Sequence, residues 1–252
     1  MKERIEKTFA DMEEIPLFYI ESGSRLWGIA SPDSDFDVRG IHLHSKRQCF
    51  DFKSHRDTIE ILDGDFDLVS YEIGKMFGLL AKGNPNVFEW IRSNIIYFNN
   101  LPQWPELQTK IVENFDFGAL FHHYRSLAKR HIRLMEAGKK FTYKAAFYCI
   151  RGLLSAELAA RQIIPELLID DLFEQIDGSS KVLEIAKDSL DRKKQQAEKE
   201  NVPEPEQQKI LTAITGFSQQ LESKTPKKGN NRQKLESVLS SYSHFIRTQY
   251  YG

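Results

Sequence analysis

Gly23-Ser24 is followed, after ten intervening residues, by Asp35-Phe36-Asp37. In an extended segment alternate side chains face the same way, so Asp35 and Asp37 are expected on one side of a strand. Two carboxylates so placed repel unless a cation lies between them, which favours a bound divalent metal. Magnesium typically takes one or two carboxylates and draws its remaining oxygens from water and substrate phosphates. Gly23 permits close backbone approach and any dihedral a tight turn demands. Ser24, at the start of a helix, offers a hydroxyl and N–H donors to phosphate oxygens. A two-ion site needs a further carboxylate for the ion that activates the attacking oxygen. Asp67 is the choice, Asp65 shares its parity and stands second, and Asp63 is assigned to the turn it opens.

The elements that must position these groups alternate in the first part of the chain. An amphipathic helix is expected over 3–13 and a buried strand over 16–20, and a short helix over 25–30 follows the Gly23-Ser24 turn. Strands are expected over 36–43 and 58–62, the latter turning at Asp63-Gly64 into a strand over 66–70. A helix over 71–82 follows, and Asn84-Pro85 supplies a cap and first-turn proline for a helix running through Val87-Phe-Glu-Trp-Ile91. Beyond about Pro105 the periodicity is helical, over 106–114, 117–137, 142–162, 166–175, 179–198, 204–222 and 232–248, with a break at Pro226-Lys-Lys-Gly229. The expected fold is α+β: a small mixed sheet with flanking helices over 1–105, then an all-helical domain over 106–252.

Composition narrows the class. Of 252 residues, 40% are hydrophobic and 28% charged, an ordinary globular balance. A formal net charge of −1 excludes a globally polybasic nucleic-acid binder but not a local basic patch. Cys49 and Cys149 offer neither a disulfide framework nor metal-ligand spacing, and reduced cytosolic thiols are expected. The opening residues, Met-Lys-Glu-Arg-Ile-Glu-Lys, are too charged for a signal peptide, and no apolar run reaches the roughly 20 residues of a membrane helix. These features point to a cytoplasmic protein with no membrane partner.

The composite Gly-Ser, ten residues, Asp-x-Asp, later acidic strand residue resembles the polymerase-β-type nucleotidyltransferase superfamily. More narrowly, Gly23-Ser-Arg-Leu-Trp-Gly28, Ser34-Asp-Phe-Asp-Val-Arg-Gly40 and Gly83-Asn-Pro-Asn-Val-Phe-Glu-Trp90 resemble the RNA-repair-pathway polymerase-β-like family. His123-Tyr124 and Lys144-Ala-Ala-Phe-Tyr-Cys-Ile-Arg151 add to the likeness, which fades beyond about residue 165. The resemblance implies that Gly23 and Ser24 hold a triphosphate, that Asp35 and Asp37 bind two magnesium (or manganese) ions and that Asp67 completes the catalytic one. It implies transfer of a nucleoside monophosphate from a nucleoside triphosphate to an acceptor, RNA being favoured, with pyrophosphate leaving. Nucleotidylation of a protein acceptor and a silent nucleotide-binding module are the rivals.

Secondary candidates have structural alternatives. Lys144, Tyr148 and Arg151 fall at helical spacings of four and three and share a face, suited to stacking a base and neutralising phosphate, or to a solvated basic face with Tyr148 in the core. Arg25 is assigned to nucleotide contact; Arg25 and Arg39 are otherwise expected to pair with Asp33 or Glu21. Lys75 either reaches substrate or serves the fold. His42 with His44 and His122 with His123 lack a cysteine partner for zinc. Glu89 and Trp90 are expected to lock their helix to the sheet. Lys224, Lys227, Lys228, Arg232 and Lys234 form a basic cluster without aromatic interleaving, better read as a solvated loop.

Overall fold

A computed structural model describes residues 1–30, 34–138, 141–176, 181–195, 201–224, 226 and 231–252. The chain opens with α1 (Lys2–Phe9), β1 (Ile15–Glu21), α2 (Gly23–Leu26), β2 (Phe36–Leu43), α3 (Lys46–Cys49), β3 (Thr58–Asp63) and β4 (Phe66–Glu72). It continues through α4 (Ile73–Ala81), α5 (Pro85–Arg92), β5 (Ile96–Asn99) and α6 (Trp104–Glu113). Then come α7 (Phe117–Glu136), α8 (Tyr143–Ala160), α9 (Ile169–Glu174), α10 (Lys181–Gln195), α11 (Glu204–Glu222) and α12 (Arg232–Tyr251). The α+β class is as expected.

Two compact units are present: residues 1–27, 32–115 and 230–252 form one, residues 28–31 and 116–229 the other. This division differs from the 1–105 and 106–252 split read from the sequence. The final helix packs on α4 and α6, so it belongs with the sheet. Arg247 of α12 meets Glu72 at 2.6 Å, and the Tyr251 hydroxyl donates to the His44 carbonyl at 2.6 Å.

In the first unit a five-stranded mixed sheet runs β3-β4-β2-β1-β5. Its central pair, β2 and β4, is parallel, and the other neighbours are antiparallel. One face carries Val38, Leu68, Phe66, Tyr19 and Phe98, on which Ile5 and Phe9 of α1 close a core. Each fully buried large side chain there contributes about 1.5–3 kcal/mol. On the other face Trp104 stacks on Phe18 with ring centroids 3.9 Å apart, and Trp90 on Tyr71 at 5.0 Å. Trp90 and Glu89, which accepts from the Trp27 indole at 3.2 Å, anchor α5 as expected. Asn84 caps that helix by accepting from the Val87 N–H, and Pro85 opens it. Two elements exceed expectation. Lys46–Cys49 is a one-turn helix closed by a capping box between Ser45 and Gln48, and β5 pairs with β1 beyond the last expected strand.

In the second unit α7 and α8 form the principal helix pair, with α10 and α11 packed on α8. A Cβ at Gly152 would lie 3.2 Å from the Tyr124 carbonyl oxygen, so glycine sets the close approach of α8 to α7. Cys149 is buried there, burial raising its thiol pKa, whereas Cys49 is exposed. Two members of the basic cluster meet acidic neighbours: Lys224 pairs with Glu157, and Arg232 with Glu236 at 2.9 Å. Lys227 and Lys228 lie outside the described residues. No helix among the described residues is long and apolar enough to cross a membrane.

The α1-facing core also holds a polar chain, Tyr19 hydroxyl to Ser70 hydroxyl at 2.7 Å and Ser70 hydroxyl to His42 Nδ1 at 2.8 Å. Burial, then the neighbouring His44, pulls the His42 imidazole from 6.5 down to about 4. A depressed histidine pKa favours folding while the ring is neutral, so the stabilisation is present above pH 6.5 and lost as the pH falls towards 4. Equilibrium denaturation should show a loss on the order of a few kcal/mol across that window, and the His42→Gln variant should lack that pH step.

Candidate active site

Parallel pairing of β2 with β4 is in register at Asp37 and Asp67, which are direct partners across the ladder. Paired residues share a face, so the sheet itself brings these two carboxylates together. Arg39, two residues on, projects on the same side. Its Nη2 donates to Asp37 Oδ1 at 2.8 Å and to Asp67 Oδ2 at 2.9 Å. Its Nη1 donates to the backbone oxygens of Asp67 at 2.6 Å and Val38 at 3.0 Å. Arg39 therefore pairs with the two site carboxylates rather than with Glu21, and Asp33 lies outside the described residues.

The Gly23-Ser24 turn lies directly against Asp37. Gly23 has φ +62°, and a Cβ there would fall 2.0 Å from Asp37 Oδ2. Helix α2 starts at Gly23 itself, and the Ser22 N–H ahead of it donates to the Asp37 carbonyl at 2.8 Å. The register of β1 with β2 thus fixes the turn and the carboxylate as one assembly. Arg25 holds the approach to it. The guanidinium donates to the carbonyls of Ser34 at 2.6 Å and Asp35 at 3.2 Å and lies over the Phe36 ring at 4.0 Å. Asp35 is exposed and precedes the first residue of β2.

Glu21 is the site residue that the sequence hid. It is fully buried, accepting from the Asp37 N–H at 3.0 Å and from the Tyr97 hydroxyl at 2.6 Å. Burial raises its pKa above the usual carboxylate range, the Tyr97 and Asp37 hydrogen bonds opposing the shift in part. Tyr97 sits on β5, an element that sequence periodicity did not reveal, so the contact had no signal.

Asp65 and Lys75 make contacts that serve the fold. Asp65 is taken by Arg4 at 2.8 Å, which lowers its pKa, and its carbonyl accepts from the Phe36 N–H. Lys75 donates to Asp57 at 2.8 Å and to Thr58 at 2.5 Å. Lys144, Tyr148 and Arg151 lie on α8 in the other compact unit. The Lys144 ammonium sits 5.8 Å from the Tyr148 ring centroid, so these two share a face as expected, while Arg151 is buried.

The donor set fits a hard divalent cation in kind: carboxylate oxygens brought together by the sheet, with the Arg39 guanidinium standing where a cation bridges them. Among the described residues no three His, Cys, Asp or Glu side chains gather closely enough to hold an ion. Asp35, Asp37 and Asp67 are thus not gathered as a three-carboxylate set here, and a single ion on Asp37 and Asp67 would complete its shell with water and substrate phosphates.

Residues 1–241 match the family described as the RNA repair pathway DNA polymerase beta family. The chain belongs to that family. This bears out the resemblance carried by Gly23-Ser24 and Asp35-Phe36-Asp37. Among curated relatives, uncharacterized protein YcgL of Bacillus subtilis (strain 168) is 33% identical over 162 residues, 62% of either chain. Uncharacterized protein MJ0002 of Methanocaldococcus jannaschii is 31% identical over 143 residues, 55% of this chain and 58% of its own. The match thus spans about three fifths of the length of these relatives. A crystal structure of a nucleotidyltransferase-like protein from Exiguobacterium sibiricum 255-15 aligns over 98% of this chain and 90% of its own, at 14% identity and a TM-score of 0.37. That likeness is too distant to bear on the site.

Two outcomes follow from the geometry. Gly23→Ala meets both a left-handed backbone and the Asp37 carboxylate, so thermal or chemical denaturation should show a loss of about 1–3 kcal/mol. Glu21→Gln keeps both hydrogen-bond partners without the buried charge. Because the Glu21 pKa is raised, its stabilisation is full below 4.5 and lost as the pH rises through the folded value. The variant should therefore gain stability relative to wild type between pH 4.5 and pH 8 in matched urea titrations.

Proposed function

We propose that this protein is a magnesium-dependent nucleotidyltransferase that moves a nucleoside monophosphate from a nucleoside triphosphate to an acceptor, RNA being favoured. The observation that supports this most directly is the assembly of Gly23, Asp37 and Asp67. A glycine turn in the left-handed region rests on one carboxylate, and the sheet pairs that carboxylate with a second. Family membership supplies the reaction class.

In this reading an acceptor hydroxyl oxygen forms a bond to the α-phosphorus, the bond from phosphorus to the pyrophosphate oxygen breaks, and the hydroxyl proton passes to solvent water. Bound magnesium supplies charge neutralisation for the phosphates and lowers the pKa of the attacking hydroxyl. The chain's own part is positioning. Gly23 makes room for the Asp37 carboxylate against the turn, and Ser24 at the helix start offers donors to the triphosphate oxygens. Asp37 and Asp67 hold the cation from a rigid sheet, while Arg25 steadies the segment that presents Asp35. Assignment of Lys144, Tyr148 and Arg151 to nucleotide contact rests on the family resemblance.

A protein acceptor is the rival within the same chemistry, and a binding module without turnover is the rival outside it. Incubation with each α-labelled nucleoside triphosphate, magnesium and cellular RNA or lysate separates them. Label is expected in an RNase-sensitive product, with at least a 100-fold loss in Asp37→Ala and Asp67→Asn, as removal of a metal-holding group removes charge stabilisation. Label in a protease-sensitive product would establish the protein acceptor, and nucleotide binding without label the silent module. Full activity of Asp67→Asn alongside a dead Asp65→Asn would move the third carboxylate to Asp65.

A further inference from the structure

We propose that Arg39 is a resident counter-ion that a divalent metal must displace from Asp37 and Asp67, so that its guanidinium sets the metal concentration at which the site becomes competent. The inference rests on the nucleotidyl-transfer reading and adds to it a residue with a defined role.

Four N–H···O directions of the guanidinium are committed, two to the carboxylates and two to backbone carbonyls of β2 and β4. The Arg39 side chain is only 14% exposed, against 30% for Asp37 and 36% for Asp67. The cation is thus the deepest member of the cluster, lying beneath the acids it joins. An ion bound by the same two carboxylates competes for oxygens that Nη2 already occupies and brings like charge beside it. The two backbone contacts made by Nη1 tether the head, which gives the side chain a fixed place to remain once Nη2 is released.

A static alternative makes the opposite forecast. If Arg39 merely aims the carboxylates and leaves their other oxygens for metal, removing it weakens metal binding. Displacement requires that removing it strengthens binding. A neighbouring like charge shifts ionic equilibria by tenfold or more, so manganese binding to Arg39→Gln is expected to tighten by roughly tenfold over wild type. Binding is followed by electron paramagnetic resonance on the full chain with no nucleotide and no turnover. The metal-free variant should also melt below wild type and recover more on adding manganese. Arg39→Lys keeps the charge without the fork and should fall between the two. If Arg39→Gln does not fold, the Lys variant carries the comparison, with tighter binding expected again. Unchanged or weaker manganese binding in the variants, with wild type binding normally, would overturn displacement while leaving the proposed reaction standing. Failure of wild type and variants alike to bind manganese, both without and with a nucleoside triphosphate, would overturn both.

Discussion

Everything at this site depends on one register. Pairing β2 with β4 in parallel at Asp37 and Asp67 puts two carboxylates on neighbouring strands of one face. Side chains so paired sit about 5 Å apart. Two like charges at that separation repel by roughly 3 kcal/mol under an effective dielectric constant of about 20. The sheet would resist that register without a cation on the same face, and Arg39 is that cation. A one-residue slip of β2 would turn Asp37 and Arg39 onto the α1-facing core, where Val38 now sits, and leave Asp67 behind on the opposite face. The apolar side therefore fixes the register that the charged side uses.

The opposite end of Asp37 is held just as closely. Its N–H is taken by buried Glu21, its carbonyl by the Ser22 N–H, and its side chain abuts Gly23. Three consecutive residues at the end of β1 thus fix one residue of β2. A second-strand carboxylate with its backbone locked on both sides loses little entropy when it takes a ligand, which is what precise phosphate chemistry requires.

What the sequence disclosed and what it withheld divide along a physical line. The Gly-Ser turn, the strand over 36–43, the Asp63-Gly64 hairpin and the Asn84-Pro85 helix start are local, and each was legible from short-range stereochemistry, although Asp35 lies ahead of that strand rather than on it beside Asp37. Asp67 was singled out as the further carboxylate by the chemistry of a two-ion site and its place after the hairpin, but its pairing with Asp37 was not legible, since no local rule states which strands neighbour. Glu21, Tyr97 and the bridging by Arg39 were not legible, because each needs partners from strands distant in sequence. The compact units were misjudged at 105 for the same reason: α12 reads as one more helix after a run of helices, and only its contacts with α4 and α6 assign it to the sheet.

That last helix has a consequence for how the protein comes into being. The sheet unit is discontinuous, its final segment separated from the rest by residues 116–229. A ribosome adding about 5–20 residues per second takes on the order of ten seconds to cross that interval. During it β1 to β5 are already made, while Glu72 still lacks Arg247 and the His44 carbonyl lacks the Tyr251 hydroxyl. The helical unit is thus synthesised before the sheet unit is closed, and the nascent sheet waits with its α12 seat uncovered.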